Sequence, residues 1–384
     1  MSTVLFVPSW TNPTAMTIRE IVRFIDAWAP SRLQEDYDNS GLLCGDPDAT
    51  VDRALMTLDV TEAVVGEAVE KKAGLIIAHH PLIFKGLKRL TPDHWVQRTL
   101  IKAIRNDVAI LAVHTNLDHV RTGVNAEIGR RLGVEEPTIL RPLRDGLCKL
   151  AVFTPHDHAD AVRAALFEAG AGHVGDYDSA SFNIDGRGSF RGDASTNPAI
   201  GEPGRLEWVD EVRIEVLLPR HRQGAVVRAL LDAHPYEEVA YDIVPLLNEN
   251  PYEGSGMVGD LADPLEPRAF LAHLRDTFGC TAIRHTDAPT DAIRRVAWCG
   301  GSGFFLLEDA VRAGADAFVT GDIKYHDWFE VDDRLLLADI GHYESERFTI
   351  DLLADAIRRN FRNFAPLLTA VNTNPVRSFT ETDR

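Results

Sequence analysis

The sequence predicts an α/β protein whose mostly parallel sheet is interrupted by an inserted α+β domain. Three observations carry that expectation. Strand-like and helix-like stretches alternate from residue 17 onward, the strand-like ones are near-continuous apolar runs, and the texture changes between about Arg144 and Gly256. Strands of a parallel sheet are covered on both faces by helices, so they read as unbroken apolar runs rather than as alternating ones.

The elements follow in order. Residues 1–16 carry no periodic pattern and are expected to form a tail, with Met16 as an alternative start; they lack the basic region and small-residue cleavage site of a signal peptide. From Thr17, "TIREIVRFIDAWAP" places apolar residues at helical spacing, with Thr17 as N-cap and Pro30 beyond the end. The strand "RALMTLDV", the helix "TEAVVGEAVEKKA", the strand "GLIIAHH", the helix "HWVQRTLIKAIRND", the strand "VAILAVH" and the helix "NAEIGRRLG" complete a first core segment, residues 17–143. Residues 144–256 then read strand, helix, strand, strand, helix, strand, the order of a ferredoxin-like domain. The glycine-rich span from Gly170 to Gly204 is either a long loop or a strand pair. Residues 257–384 resume the alternation as a second core segment, ending in a helix from about Tyr343 to Arg362.

With 384 residues, 45% apolar and 26% charged, the chain has the composition of a globular protein with a sizeable core. No apolar run is long enough to span a bilayer, so no membrane is expected. A net charge of −18 argues against nucleic acid as a main partner, since phosphate backbones are held by clustered Lys and Arg. Cys44, Cys148, Cys280 and Cys299 are scattered without C-x-x-C spacing, which suits buried thiols in a reducing, cytoplasmic setting.

In an open α/β sheet, ligands bind beyond the carboxyl ends of the strands. "GLIIA" ends in His79-His80, "AILAV" leads to His114 and Asp118, "AFVT" leads to Asp322, Lys324 and His326, and "LLLAD" leads to His342 and Glu346. Taken singly, each has a plainer explanation. A strand-end histidine is more often a hydrogen-bonded cap, Asp118 suits a helix N-cap or turn, and Glu346 a solvated helix face. Burying the adjacent pair His79-His80 without a purpose would be costly, however. His342 and Glu346 also share one helix face at i, i+4.

Imidazoles with one or two carboxylates suit zinc, iron, manganese, cobalt or nickel. His79, His80, Asp118, His342 and Glu346 exceed the needs of one ion with an open position and match two divalent ions sharing a carboxylate. His114, Lys324 and His326 are candidates for ligand orientation, proton transfer or charge compensation. His156, His158, His221 and His234 lie off these strand ends and read as structural. "WCGGSGFFLLEDAV" sets a glycine-rich turn between strand and helix, but it lacks the full G-x-G-x-x-G pattern and any Walker lysine, so it reads as a tight turn.

Taken together, "YDNSGLLCGD", "LDVTEAVVGEA", "IIAHHPLIFKGLKRL", "VHTNLDHVRTGVN", "TGDIKYHD" and "DIGHYESE" resemble the Nif3-like (DUF34) dinuclear metal-centre family. "GHVGDYDSASFNIDGRGSFRG" and "HPYEEVAYDIVP" are similar to the PII/CutA-like insert of its longer members. The match runs from about Thr17 to Phe361; Tyr37 departs from the family's usual Trp, and the tail after Phe361 lies outside the pattern. The resemblance implies two metal ions held by His79, His80, Asp118, His342 and Glu346, and a toroidal homohexamer with the sites facing an inner cavity. It also implies a GTP cyclohydrolase 1 type 2-like activity, a metal-assisted hydrolysis of a nucleotide or phosphorylated small molecule. A non-catalytic metal-homeostasis or regulatory protein, with the insert as docking module, is the competing expectation.

Overall fold

The computed structural model describes residues 15–144 and 146–379. Residues 1–14 of the expected tail lie outside the described residues; Met16 is buried and pairs with Val51 in a two-stranded ribbon. The chain divides into two compact units, one made of residues 1–141 and 251–384, the other of Pro142–Asn250. Among the described residues, no helix is long and apolar enough to cross a membrane.

The first unit opens with the helix Ile18–Trp28. Thr17 and Glu20 form a reciprocal capping box that satisfies otherwise orphaned N–H groups, and Ile18, Ile21, Phe24 and Ile25 recur at helical spacing on the buried face. Behind it stands a five-stranded sheet in which Ala365–Leu368, Arg53–Thr57, Leu75–Ala78 and Ala109–Ala112 run parallel, with Gly41–Cys44 antiparallel at the edge. The central strand, Leu-Ile-Ile-Ala, is buried on every residue. Helices Glu62–Glu70 and Trp95–Arg105 close over one face, and Leu55, Val64, Ile76, Leu100 and Ile110 share one core. Truncating such a residue to Ala typically costs about 2–5 kcal/mol.

A second sheet, of six strands, contains the parallel trio Ile293–Trp298, Ala317–Thr320 and Leu336–Asp339. Asn250–Leu265 and Arg284–His285 pair with this trio antiparallel. In place of one mostly parallel sheet this unit has two larger sheets, and both are mixed: in the first only the edge strand Gly41–Cys44 is antiparallel, and in the second the parallel trio has antiparallel strands on both sides. Runs such as "LIIA" and "LLAD" report burial on both faces, which a strand in the middle of a mixed sheet also has. The helix expected over residues 343–362 is likewise broken, into His342–Glu346 and Thr349–Asn360.

The parallel strands end in register. Thr57 pairs with Ala78 and Ala78 with Ala112, while Thr320 pairs with Asp339. Residues that follow each trio are therefore delivered to a common edge.

The second unit has a four-stranded antiparallel sheet in the order Tyr241–Pro245, Leu147–Pro155, Glu207–Pro219, Phe182–Phe190. Helices Ala159–Glu168 and Gln223–Ala233 supply Val162, Leu166, Val226 and Leu230 to its core, against Leu150, Val152, Ile214 and Val216. The glycine-rich span holds one strand, Phe182–Phe190, flanked by loops.

Candidate metal centre

His79 and His80 leave their strand without leaving the ladder. The His79 N–H donates to the Thr57 carbonyl at 3.1 Å and the His80 N–H to the Leu58 carbonyl at 2.9 Å. Both imidazoles are therefore fixed at the sheet edge, where Asp118 stands at the end of the short helix Thr115–Asp118. From the other sheet, Gly341 adopts φ +90° and starts the helix His342–Glu346, whose i, i+4 spacing directs both named side chains to one side.

Glu346, 3% exposed, is the common element. Its Oε2 lies 3.0 Å from His80 Nε2 and 3.0 Å from His342 Nε2, and these two nitrogens face each other at 3.2 Å. Its Oε1 lies 3.8 Å from His79 Nε2, which is 3.7 Å from Asp118 Oδ1. One carboxylate thus serves two trios, His80–His342–Glu346 and His79–Asp118–Glu346. Around a tetrahedral ion with bonds of about 2.0–2.1 Å, ligand atoms stand roughly 3.3–3.4 Å apart, which is the scale of these separations.

Every imidazole is oriented by a partner on Nδ1. His79 donates to the Val113 carbonyl at 2.9 Å, and His80 and His342 pair with Asp59 at 2.8 Å and Asp322 at 2.7 Å. Because a carbonyl only accepts, His79 carries a proton on Nδ1 and turns Nε2 into the site. That arrangement of ligand nitrogen and outer acceptor is typical of metal-binding histidines. His79 Nε2 and Asp118 Oδ1 are also buried with no hydrogen-bond partner. Orphaned polar atoms are expensive, and a shared cation would satisfy both. The residues present therefore fit a metal ion.

The electrostatics show what the cluster does with its own charges. Burial works against the ionised forms, yet His342 and His79 hold the Glu346 carboxyl well below the usual range. Burial likewise disfavours charge on His80, but Asp59 and Glu346 outweigh it and raise the ring to about 9. Glu346 and Asp322 raise His342 to about 11. Asp118 is pushed up, first by burial and then by the neighbouring Glu346 charge. In the protein alone, protons on His80 and His342 thus neutralise Glu346, a role a divalent cation would take over.

The expected ligands His79, His80, Asp118, His342 and Glu346 come together. His114 adjoins them, its ring 5.2 Å from His79 and 5.4 Å from His80, with Nδ1 2.7 Å from Asp38. Hydrogen bonds from His114 and Thr115 overcome burial and hold the Asp38 carboxyl well below its ordinary value. Lys324 and His326 are exposed and are not among the residues lining the cavity. Asp38 and Asp59 are not among the expected site residues, although each lies at or shortly after a segment that feeds the site, with "LMTLD" the signal for Asp59; Asp322 is named at its strand end but without the role of orienting His342. The glycine-rich turn is committed internally. Gly300 donates to Asn125 Oδ1, Gly301 to Ser345 Oγ and Gly303 to Thr320 Oγ1. A Cβ on Gly301 would fall 2.3 Å from Glu346 Oε1, so glycine is needed for that carboxylate to approach.

The cluster opens into a cavity of about 690 Å³. The family model described as Duf34/NIF3 (NGG1p interacting factor 3) matches residues 16–375. A GTP cyclohydrolase 1 type 2 homolog of Halalkalibacterium halodurans is 40% identical over 324 residues, 84% of this chain and 87% of its own. The protein of the same name from Mycobacterium bovis is 34% identical over 377 residues, 96% and 99% of the two chains. Among solved structures, a Bacillus cereus protein related to NIF3 superposes with a TM-score of 0.83 at 35% identity, covering 95% of this chain and 99% of that one.

Proposed function

Since the chain belongs to the DUF34/NIF3 family, we propose that it is a dinuclear metal-dependent hydrolase acting on a nucleotide or phosphorylated small molecule. The observation that carries the reading is the sharing of Glu346, one oxygen toward His79 and Asp118 and the other toward His80 and His342. Two divalent ions, zinc, iron, manganese, cobalt or nickel by donor chemistry, would be held by His79, His80, Asp118, His342 and Glu346 and would supply Lewis acidity for hydrolysis. The protein's own residues do the rest. Val113, Asp59 and Asp322 fix the three imidazoles, and Asp118 and Glu346 supply negative charge. His114, held through Nδ1 by Asp38, stands beside the cluster as the candidate for proton transfer.

The relatives' name suggests GTP as a substrate, with attack at the imidazole carbon of the guanine ring. We read the unit Pro142–Asn250 as a ferredoxin-like, PII/CutA-like insert, on the support of its strand and helix order and its sheet order. A cytoplasmic homohexamer is the assembly the family resemblance favours. That separate unit also favours the rival reading, a non-catalytic metal or regulatory protein.

The test is to load the purified protein with zinc, manganese or iron and screen GTP, other nucleotides and phosphoesters for turnover. Turnover that disappears in Asp118→Asn supports the hydrolase. Stoichiometric metal with no turnover for any substrate favours the rival.

A further inference from the structure

The cavity has a second wall that the metal chemistry does not use. The chain leaving His80 runs through Pro81, Leu82, Ile83 and Phe84 to Leu87, and Trp95 starts the next helix. Phe84 and Trp95 line the cavity while remaining 46% and 48% exposed, and Tyr37 and Phe305 do so at 67% and 52%. Phe84 is held edge-on to His114, ring centroids 5.5 Å apart at 86°, and Arg141 sits over Phe305 at 5.2 Å. Large aromatic faces left in water beside a buried polar cluster mark a ligand surface rather than a folding requirement.

The charge of the lining is equally uneven. Glu35, Asp59, Asp118 and Glu346 contribute carboxylates, whereas Lys85 is the one lysine or arginine among the described residues lining the cavity. A triphosphate is normally held by several basic groups or by a run of backbone N–H groups. Here the glycine-rich turn at the cavity has already donated the N–H groups of Gly300, Gly301 and Gly303 within the protein.

We propose that Phe84 and Trp95 form a stacking subsite, and that the ligand is recognised through a planar aromatic heterocycle rather than through its phosphates, so that a nucleoside binds about as well as its triphosphate. The subsite rests on the dinuclear reading only for where the reacting group would lie. Ring recognition by the aromatic wall is independent of turnover. Base–aromatic stacking tolerates many ring systems because each presents a π face.

The test is calorimetric titration of the zinc-loaded protein with guanosine, adenosine, ribose 5-phosphate and GTP. The expected result is saturable binding of the nucleosides, none of ribose 5-phosphate, and GTP within about tenfold of guanosine. Phe84→Ala and Trp95→Ala should each weaken the nucleosides by about 5- to 100-fold with metal content and oligomeric state unchanged. Ribose 5-phosphate binding as well as guanosine, GTP binding more than about tenfold tighter, or variants that bind like the parent would each overturn the proposal. So would dissociation of an oligomer by either variant, which would make the wall an interface between copies. Nucleoside binding with no turnover of any nucleoside, nucleotide or phosphoester would instead favour the non-catalytic reading and leave this subsite standing.

Discussion

Thr373 donates its hydroxyl to Asp59 at 2.7 Å, and Asp59 spends its other oxygen on His80 Nδ1 at 2.8 Å. A residue close to the C-terminus thus sets the orientation of an imidazole fixed by the first sheet. Thr373→Val removes that donor at nearly constant volume and should weaken metal binding by about 10-fold or less. Acceptors that contact a ligand directly are typically worth about 10–100-fold. Metal titration by competition with a chelator measures the change, and Thr373→Ser should restore it. Parental affinity in Thr373→Val would remove this role.

Asp118→Asn and Glu346→Gln should differ in kind. Asp118 serves one trio and Glu346 both. The first variant is expected to retain at most one ion per chain and the second to lose most of both. Elemental analysis after dialysis gives the count directly, and equal stoichiometry in the two variants would contradict the sharing of Glu346.

Metal uptake should release protons. In the metal-free protein His80 titrates at about 9 and His342 at about 11, above the ordinary 6.5. Their contribution to the stability of that form is fully present below about 6.5 and is lost as pH rises through about 9 and about 11. Metal needs the neutral rings, so its affinity should climb with pH up to about 9 to about 11 and level off above. Calorimetry at pH 7.5 in buffers of different ionisation enthalpy counts the protons; a count of zero refutes the assignment.

Gly301 and Gly314 give a matched pair. Both have positive φ, +59° and +69°, but a Cβ at Gly314 meets nothing within 4 Å, whereas at Gly301 it meets Glu346. Gly314→Ala should cost only the backbone strain, about 1 kcal/mol, and leave metal binding intact. Gly301→Ala should cost about 1–3 kcal/mol and lower metal affinity as well. Thermal unfolding with and without zinc separates the two effects.

The sequence reading reached His79, His80, Asp118, His342 and Glu346 because parallel strands end at one edge, and that edge can be located from apolar runs alone. Asp38 and Asp59 were missed for the converse reason, and Asp322, though named after its strand, was given no role. A lone carboxylate after a strand is the ordinary chemistry of a turn, and only the fold shows which one meets an imidazole. Thr373 lies beyond any periodic segment, so nothing local pointed to it. The antiparallel strands Gly41–Cys44 and Arg284–His285 are not among the expected elements, since they are only four and two residues long and their pairing partners are set by distant segments. The break near Arg347 was hidden because the residues on either side keep good helical character.

If each trio holds an ion as proposed, the sharing of Glu346 also makes the two a linked pair of equilibria. Whatever factor occupation of one applies to the affinity of the other must be returned unchanged in the opposite direction. Two effects compete for its sign. A first cation could order the carboxylate for the second, but Gly301 and the helix His342–Glu346 already hold it in place, so little disorder remains to be removed. The same cation draws on the single negative charge that both trios share. Depletion of that charge outweighs ordering, and loading should be anti-cooperative, with a first ion retained firmly and a second exchanged with the surroundings.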